Sequence, residues 1–262
     1  MKRPLPLIIS IPHGGTLVPE VLKDNLALGV SVLLEDGDIW TSQLFNFGSA
    51  VKHTSIMPIA RAVLDLNRAS DDLPPGNFDG VIKTQSLFLS PVWRRALRQD
   101  EIDMLLTRYY QPYYETLKKM SDLDGVKLGI DCHSMLPQDP FDATAAPRPL
   151  FCLSNRGNAS GEQEAEPLTA PADLLIKFKM ILESTFGQGS VGINTPFKGG
   201  ELTRRLGREA AIPWFQFEVN RNLYAPFMTD GLPLEPVDEM LVTVNALKMR
   251  LLDCLTRLMA LL

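Results

Sequence analysis

Short apolar runs bounded by turn residues alternate along this chain with longer stretches of helical periodicity. Leu5–Ile11, Thr54–Ile59, Val126–Cys132, Pro149–Leu153, Ser190–Ile193 and Phe215–Val219 have strand length and near-continuous apolar content, the signature of strands buried on both faces. Helical spacing covers Asp38–Phe47, Asp100–Met120, Pro171–Thr185 and Pro236–Leu261, and a short helix starts at Thr203–Leu206. Asp100 suits an N-cap, while Pro171 and Pro236 suit first helical turns. The alternation predicts an α/β sheet covered by helices. In the last helix Lys248, Arg250, Asp253 and Arg257 interrupt the Leu-rich pattern, so an amphipathic helix packed on the body is expected, with no membrane span. The polar stretch Asn155–Ala170 predicts a surface loop and a candidate lid, and Leu73–Asn77 a second loop.

Length and composition narrow the class. The 262 residues fit one large α/β domain, 1–262, and 45% hydrophobic content with 22% charged residues supports a substantial core. A net charge of −5 argues against a nucleic-acid partner, which needs a basic face. An acidic substrate would have to be drawn by a local group of Arg and Lys. The three cysteines, Cys132, Cys152 and Cys254, are odd in number and widely spaced, which excludes a disulfide framework and fits a reducing, cytoplasmic compartment. The N-terminal MKRPLPLIIS is too short for a signal peptide and predicts a first buried strand.

Residues of chemical potential end the predicted strands: His13, Asp131-Cys132-His133 and Glu218. Ligands of open α/β sheets bind outside the carboxyl ends of strands, so residues remote in sequence are expected to converge there. His13 lies in a Pro-His-Gly-Gly turn, where the glycines permit close backbone approach. Alternation puts Asp131 and His133 on one face of their strand, where the carboxylate can orient the imidazole, and Cys132 on the other, in the core. That same alternation argues against a Cys132–His133 nucleophile pair. Glu35, Asp36 and Asp38 supply candidate third ligands ahead of a predicted helix. Two imidazoles and one carboxylate with a fourth position open is a catalytic zinc arrangement. His53 is expected on the surface at the opposite end of the sheet, and Tyr109, Tyr110, Tyr113 and Tyr114 in core packing.

The segments ISIPHGG (Ile9–Gly15), DGDIWTSQL (Asp36–Leu44), VLDLNR (Val63–Arg68), YYQPY (Tyr109–Tyr113), IDCHS (Ile130–Ser134), NTPFKGG (Asn194–Gly200) and QFE (Gln216–Glu218) appear in one order across about the first 220 residues. Together they resemble the N-formylglutamate amidohydrolase family. The resemblance implies a three-layer α/β/α fold with a mixed sheet, phosphorylase/hydrolase-like and similar to the zinc carboxypeptidases. It also implies a cytoplasmic zinc hydrolase that cleaves N-formyl-L-glutamate to formate and glutamate, within histidine degradation. A different N-acyl amino acid, or a small peptide, is the alternative substrate on the same fold, and a non-catalytic small-ligand binding protein the remote one. By order along the chain the resemblance assigns one Zn2+ to His13, His133 and Asp38, with Asp36 the rival carboxylate. It assigns Glu218 as general base, Arg61 to the oxyanion, and Asn67 and Arg68 to a substrate carboxylate. A second carboxylate calls for another cation, with Arg148, Lys198 and Arg204 all candidates. The chain departs from the pattern at Thr16, where carboxypeptidases carry an acidic ligand, and at Tyr114, where the family commonly has histidine.

Overall fold

A computed structural model describes residues 3–142, 144–225, 233 and 235–262. Met1 and Lys2, part of the basic start, lie outside the described residues. Each predicted strand is present: β1 (Leu5–Ile11), β2 (Val51–Ile56), β3 (Leu128–Met135), β4 (Phe151–Ser154), β5 (Val191–Ile193) and β6 (Trp214–Asn220). They form one mixed sheet in the order β2-β1-β3-β6-β4-β5, in which only the β4–β6 pairing is antiparallel. β2 begins three residues before the expected start, at Val51 rather than Thr54, so His53 lies within the strand, level with Ile8.

The helices are α1 (Val30–Asp36), α2 (Thr41–Phe45), α3 (Gln99–Leu105), α4 (Gln111–Ser121), α5 (Ala172–Phe186), α6 (Glu201–Glu209) and α7 (Asp238–Met259). Between α3 and α4 the expected continuous helix passes through a π-helical turn at Leu106–Tyr110. Asp100 sits in the first turn of α3, not at its N-cap; Arg98 holds that place, and its N–H donates to the Glu101 carboxylate at 2.8 Å. The helix expected from Asp38 starts only at Thr41, because Gly37–Trp40 is an irregular link between α1 and α2.

The sheet's two faces bury two separate cores, giving three layers. One face carries Ile9, Ile130, Cys132, Phe215 and Phe217 against Phe178 and Leu182 of α5 and Leu247 and Leu251 of α7. The other carries Ile8 and Trp214 against Tyr113 and Leu117 of α4 and Leu202 and Leu206 of α6. Alternation explains the division: in β6 Phe215, Phe217 and Val219 enter the first core, so Gln216 and Glu218 face the second layer. Toward the carboxyl ends of β1, β3 and β6 that second layer opens, and polar side chains replace its packing. No helix among the described residues is long and apolar enough to cross a membrane.

Candidate functional site

β1, β3 and β6 are parallel, and they deliver His13, His133 and Glu218 to the same end of the sheet. His133 and Glu218 stand in direct register across β3 and β6. Asp38 arrives from the link between α1 and α2. That link is clamped: Arg221 Nη2 donates to Gly37 O at 2.5 Å, Tyr224 Oη to Ile39 O at 2.8 Å, and the Asp38 N–H to His13 O at 3.1 Å. Trp40, next along, holds a left-handed φ of 52°, a conformation that costs a non-glycine residue about 1–2 kcal/mol and persists only where its surroundings impose it.

Candidate ligand atoms of His13, Asp38 and His133, all buried, lie within 4.8 Å of one another. Asp38 Oδ2 is 3.5 Å from His13 Nδ1 and 3.0 Å from His133 Nδ1. The far nitrogen of each ring meets another carboxylate. His13 Nε2 is 2.8 Å from Asp65 Oδ1, and His133 Nε2 is 3.1 Å from Asp131 Oδ2, off the hydrogen-bonding axis. If His13 keeps its proton on Nε2 for Asp65, then Nδ1 presents a lone pair to the Asp38 carboxylate, and this buried nitrogen has no hydrogen-bond partner among the described residues. Acceptor facing acceptor in a dry site is unfavourable unless a proton or cation lies between them. The donor set therefore fits a small cation such as zinc, whose bonds to imidazole nitrogen are about 2.0–2.1 Å.

The surrounding charges are shifted accordingly. Burial opposes ionisation of Asp38, yet the close approach of His13 and His133, with a hydrogen bond between His133 Nδ1 and Asp38 Oδ2 at 3.0 Å, holds its carboxyl well below the usual range. Burial likewise opposes ionisation of Asp65, and the Arg61 guanidinium and His13 outweigh it. Glu218 goes the other way. Its Oε1 accepts from Gln216 Nε2 at 2.8 Å while Oε2 is buried with no hydrogen-bond partner among the described residues, and burial pushes its carboxyl up to about 7. Cys132 is buried on the opposite face, and burial pushes its thiol far up, so it offers no thiolate.

His13, Asp38, His133 and Glu218 line one cleft of about 290 Å³ with Arg61, Asn67, Arg68 and Lys198. Arg61 Nε donates to Asp65 Oδ2 at 3.0 Å. Asn67 Oδ1 accepts the Leu202 N–H at 3.2 Å near the start of α6, and a Cβ at Gly200 would stand only 2.0 Å from it, so glycine is required there for close packing. Arg68 pairs with Asp79, not with Asp65. Arg148 lies in an adjoining compartment, and Arg204 lines a separate hollow beside Tyr110 and is paired with Glu201. Asp36 is turned away from the cluster: Lys83 Nζ meets its oxygens at 3.0 and 2.9 Å, and the Leu87 N–H at 2.6 Å. Arg221 braces Gly37 O, Ser134 Oγ and, at 3.6 Å, Asp38.

Asp65, Lys83, Arg221 and Gln216 take parts in the site that sequence patterns alone do not announce. Asp65 and Gln216 lie inside quoted motifs, and their position one turn or one strand step from a nominated residue was the available signal. Lys83 and Arg221 carried none. Asn155–Ala170, expected as a loop and candidate lid, is a loop anchored by buried Asn155, whose amide donates to Gly161 O and Ala170 O. Tyr114, where the resemblance leads one to expect histidine, donates to Leu66 O at 2.6 Å beneath the Asn67-Arg68 segment.

Two curated relatives are similar over most of their length. N-formylglutamate deformylase of Pseudomonas putida is 28% identical over 232 residues, covering 84% of this chain and 82% of that one. The protein of the same name from Pseudomonas aeruginosa is 28% identical over 239 residues, covering 85% of each. Among solved structures, an N-formylglutamate amidohydrolase from Ralstonia eutropha superposes with a TM-score of 0.72 at 21% identity, covering 98% of this chain and 96% of that one. A gene product of Agrobacterium tumefaciens gives 0.64 at 14% identity, over 97% and 88% of the two chains. The family model described as N-formylglutamate amidohydrolase matches residues 5–225, and the chain belongs to that family.

Proposed function

We propose that this protein is a zinc-dependent amidohydrolase that cleaves N-formyl-L-glutamate to formate and glutamate. The observation that carries the reading is the pair of buried imidazoles turning Nδ1 toward one aspartate while separate carboxylates back their Nε2 atoms, with Glu218 alongside. The names of the curated relatives support the substrate.

His13, Asp38 and His133 would hold the ion, which supplies Lewis acidity to the formyl carbonyl and brings the pKa of a water to about 7. Glu218 takes a proton from the attacking water, whose oxygen bonds to the formyl carbon. As the C–N bond breaks, Glu218 passes that proton to the departing amine. Burial raises this carboxyl to about 7 before any ion is added, and so opposes the downward pull that a neighbouring cation would exert on it. Arg61, fixed through Asp65, lends positive charge to the developing oxyanion. Asn67 and Arg68 receive the substrate's α-carboxylate; Asp79 holds the Nε and Nη2 edge of the Arg68 guanidinium, and the N–H donors it leaves over line the cleft for the ligand.

Metal analysis of the purified protein, combined with formate release from N-formyl-L-glutamate against N-acetyl and dipeptide analogues, tests the reading. One zinc per chain and preferred turnover of the formyl substrate are expected. Turnover unchanged in Glu218→Gln, or unaffected by complete chelation, would refute it.

A further inference from the structure

Past Phe197 and Ser134 the cleft continues into a second compartment of about 260 Å³, also bordered by Arg61 and Arg68. Its arginines are not equally available. Arg61 is held by Asp65, Arg68 by Asp79 at 2.5 Å, and Arg221 by Gly37 O and Ser134 Oγ. Of the nearby acids, Asp36 and Asp79 are engaged, sharing the Lys83 ammonium, 2.9 Å from an oxygen of each, and Glu35 lines the compartment as well.

Arg148 is different. Among the described residues its guanidinium makes hydrogen bonds only at the long distance of 3.4 Å, to Leu136 O and to Asp139 Oδ2. The Asp139 side chain is 44% exposed, so water screens that pair, whereas Arg148 itself is 13% exposed. The guanidinium carbon stands 5.1 Å from the centroid of the Phe197 ring, which supports a cation without neutralising it. The backbone around it is fixed: its N–H donates to Pro137 O at 2.8 Å, and its carbonyl accepts from Asn220 Nδ2 at 3.3 Å. Asn220 ends the same strand that carries Glu218, so one rigid element sets both residues. Of the other cations that sequence nominated for a second carboxylate, Lys198 is 58% exposed and paired with Glu164, and Arg204 faces a different hollow.

We infer that Arg148 binds the side-chain carboxylate of an N-acyl amino diacid and makes the cleft selective for acidic over neutral amino acids. The inference rests on the proposed amidohydrolase reading of the cleft and adds to it the residue that selects the side chain. A planar guanidinium can take a carboxylate through two parallel N–H donors, and the long contact to exposed Asp139 is the one such a ligand displaces.

Calorimetric titration of L-glutamate and L-glutamine into wild-type protein, R148M and R148K tests it, with formate release from the two N-formyl amino acids measured alongside. Wild type should prefer glutamate. R148M should lose about 30-fold or more in glutamate affinity while glutamine stays within about 2-fold, the scale expected for removing one partner of a desolvated charge pair. R148K should retain part of the preference. Equal loss for both amino acids, an unchanged preference in R148M, or no glutamate preference in wild type overturns the assignment. Selective glutamate binding lost in R148M, without formate release by wild type, supports Arg148 and counts against the proposed hydrolysis.

Discussion

A neutral imidazole has one N–H and one lone pair, and a carboxylate behind one nitrogen decides which of them faces the site. Asp65, hydrogen-bonded to His13 Nε2 at 2.8 Å, favours the proton there and leaves the Nδ1 lone pair facing Asp38, where the proposed cation would bind. Asp65→Asn should therefore weaken zinc binding about 10–100-fold, read by competition with a calibrated chelator. Equal affinities in the two proteins would remove Asp65 from this role. Glu218 gives a second test at this scale. Burial favours its neutral form, so in metal-free protein the carboxyl should titrate near 7, followed by carbon NMR and assigned by its loss in Glu218→Gln. The folded state then binds more protons than the unfolded chain between the ordinary value of 4.5 and about 7, so this group's contribution to metal-free stability falls as pH rises through that window. Zinc beside it favours the carboxylate and should move the titration downward. A midpoint near 4.5 without metal would contradict the burial argument. His13, His133 and Glu218 were legible in sequence because strand ends announce themselves. Arg221 was not, since its contact with Gly37 spans 184 positions and no local pattern records it.

The strands were legible for a related reason: burial on both faces of a parallel sheet leaves few polar interruptions, and all were found within a few residues. Helices were less clear where packing overrides local preference. Val30–Asp36 begins Val-Ser-Val, a poor helix start on propensity, and its N-cap Gly29 makes no side-chain cap hydrogen bond, so nothing local marks α1. From Gln99 to Ser121 the periodicity is continuous, and it gave no sign of the π-helical turn at Leu106–Tyr110. That turn precedes α4, from which Tyr113 reaches across to the sheet. Its hydroxyl accepts the Ile11 N–H at 3.1 Å and donates to Ser55 O at 3.0 Å, joining α4 to the ends of β1 and β2 just before His13. Tyr113→Phe leaves the ring packing and strands the buried Ile11 N–H, a loss of about 1–3 kcal/mol. Urea unfolding should show that loss with an unchanged m-value, and a difference below about 0.5 kcal/mol would mean the backbone finds another partner.

At the scale of the whole molecule, the two cores fix the sheet and leave its carboxyl end to carry a concentration of buried charge. Asp38, Asp65, Asp131 and Glu218 are all nearly inaccessible there, faced by His13, His133 and the Arg61 guanidinium. Such a group folds at a cost unless something compensates its negative charge, because isolated carboxylates are expensive to bury. A cation that binds only the folded arrangement repays that cost through linkage: at a free concentration 100 times its Kd it stabilises the native state by about 2.7 kcal/mol. For a chain of this size the corresponding rise in Tm is roughly 5–10 °C. Zinc added to metal-free protein should give that shift, and magnesium, which prefers oxygen ligands and retains its waters, a much smaller one. His13→Ala and His133→Ala should abolish the zinc response while remaining folded, since each removes a donor and leaves both cores intact. A full zinc shift in either variant would mean that the ion binds elsewhere, and the convergence of β1, β3 and the α1–α2 link on one aspartate would then need a different explanation.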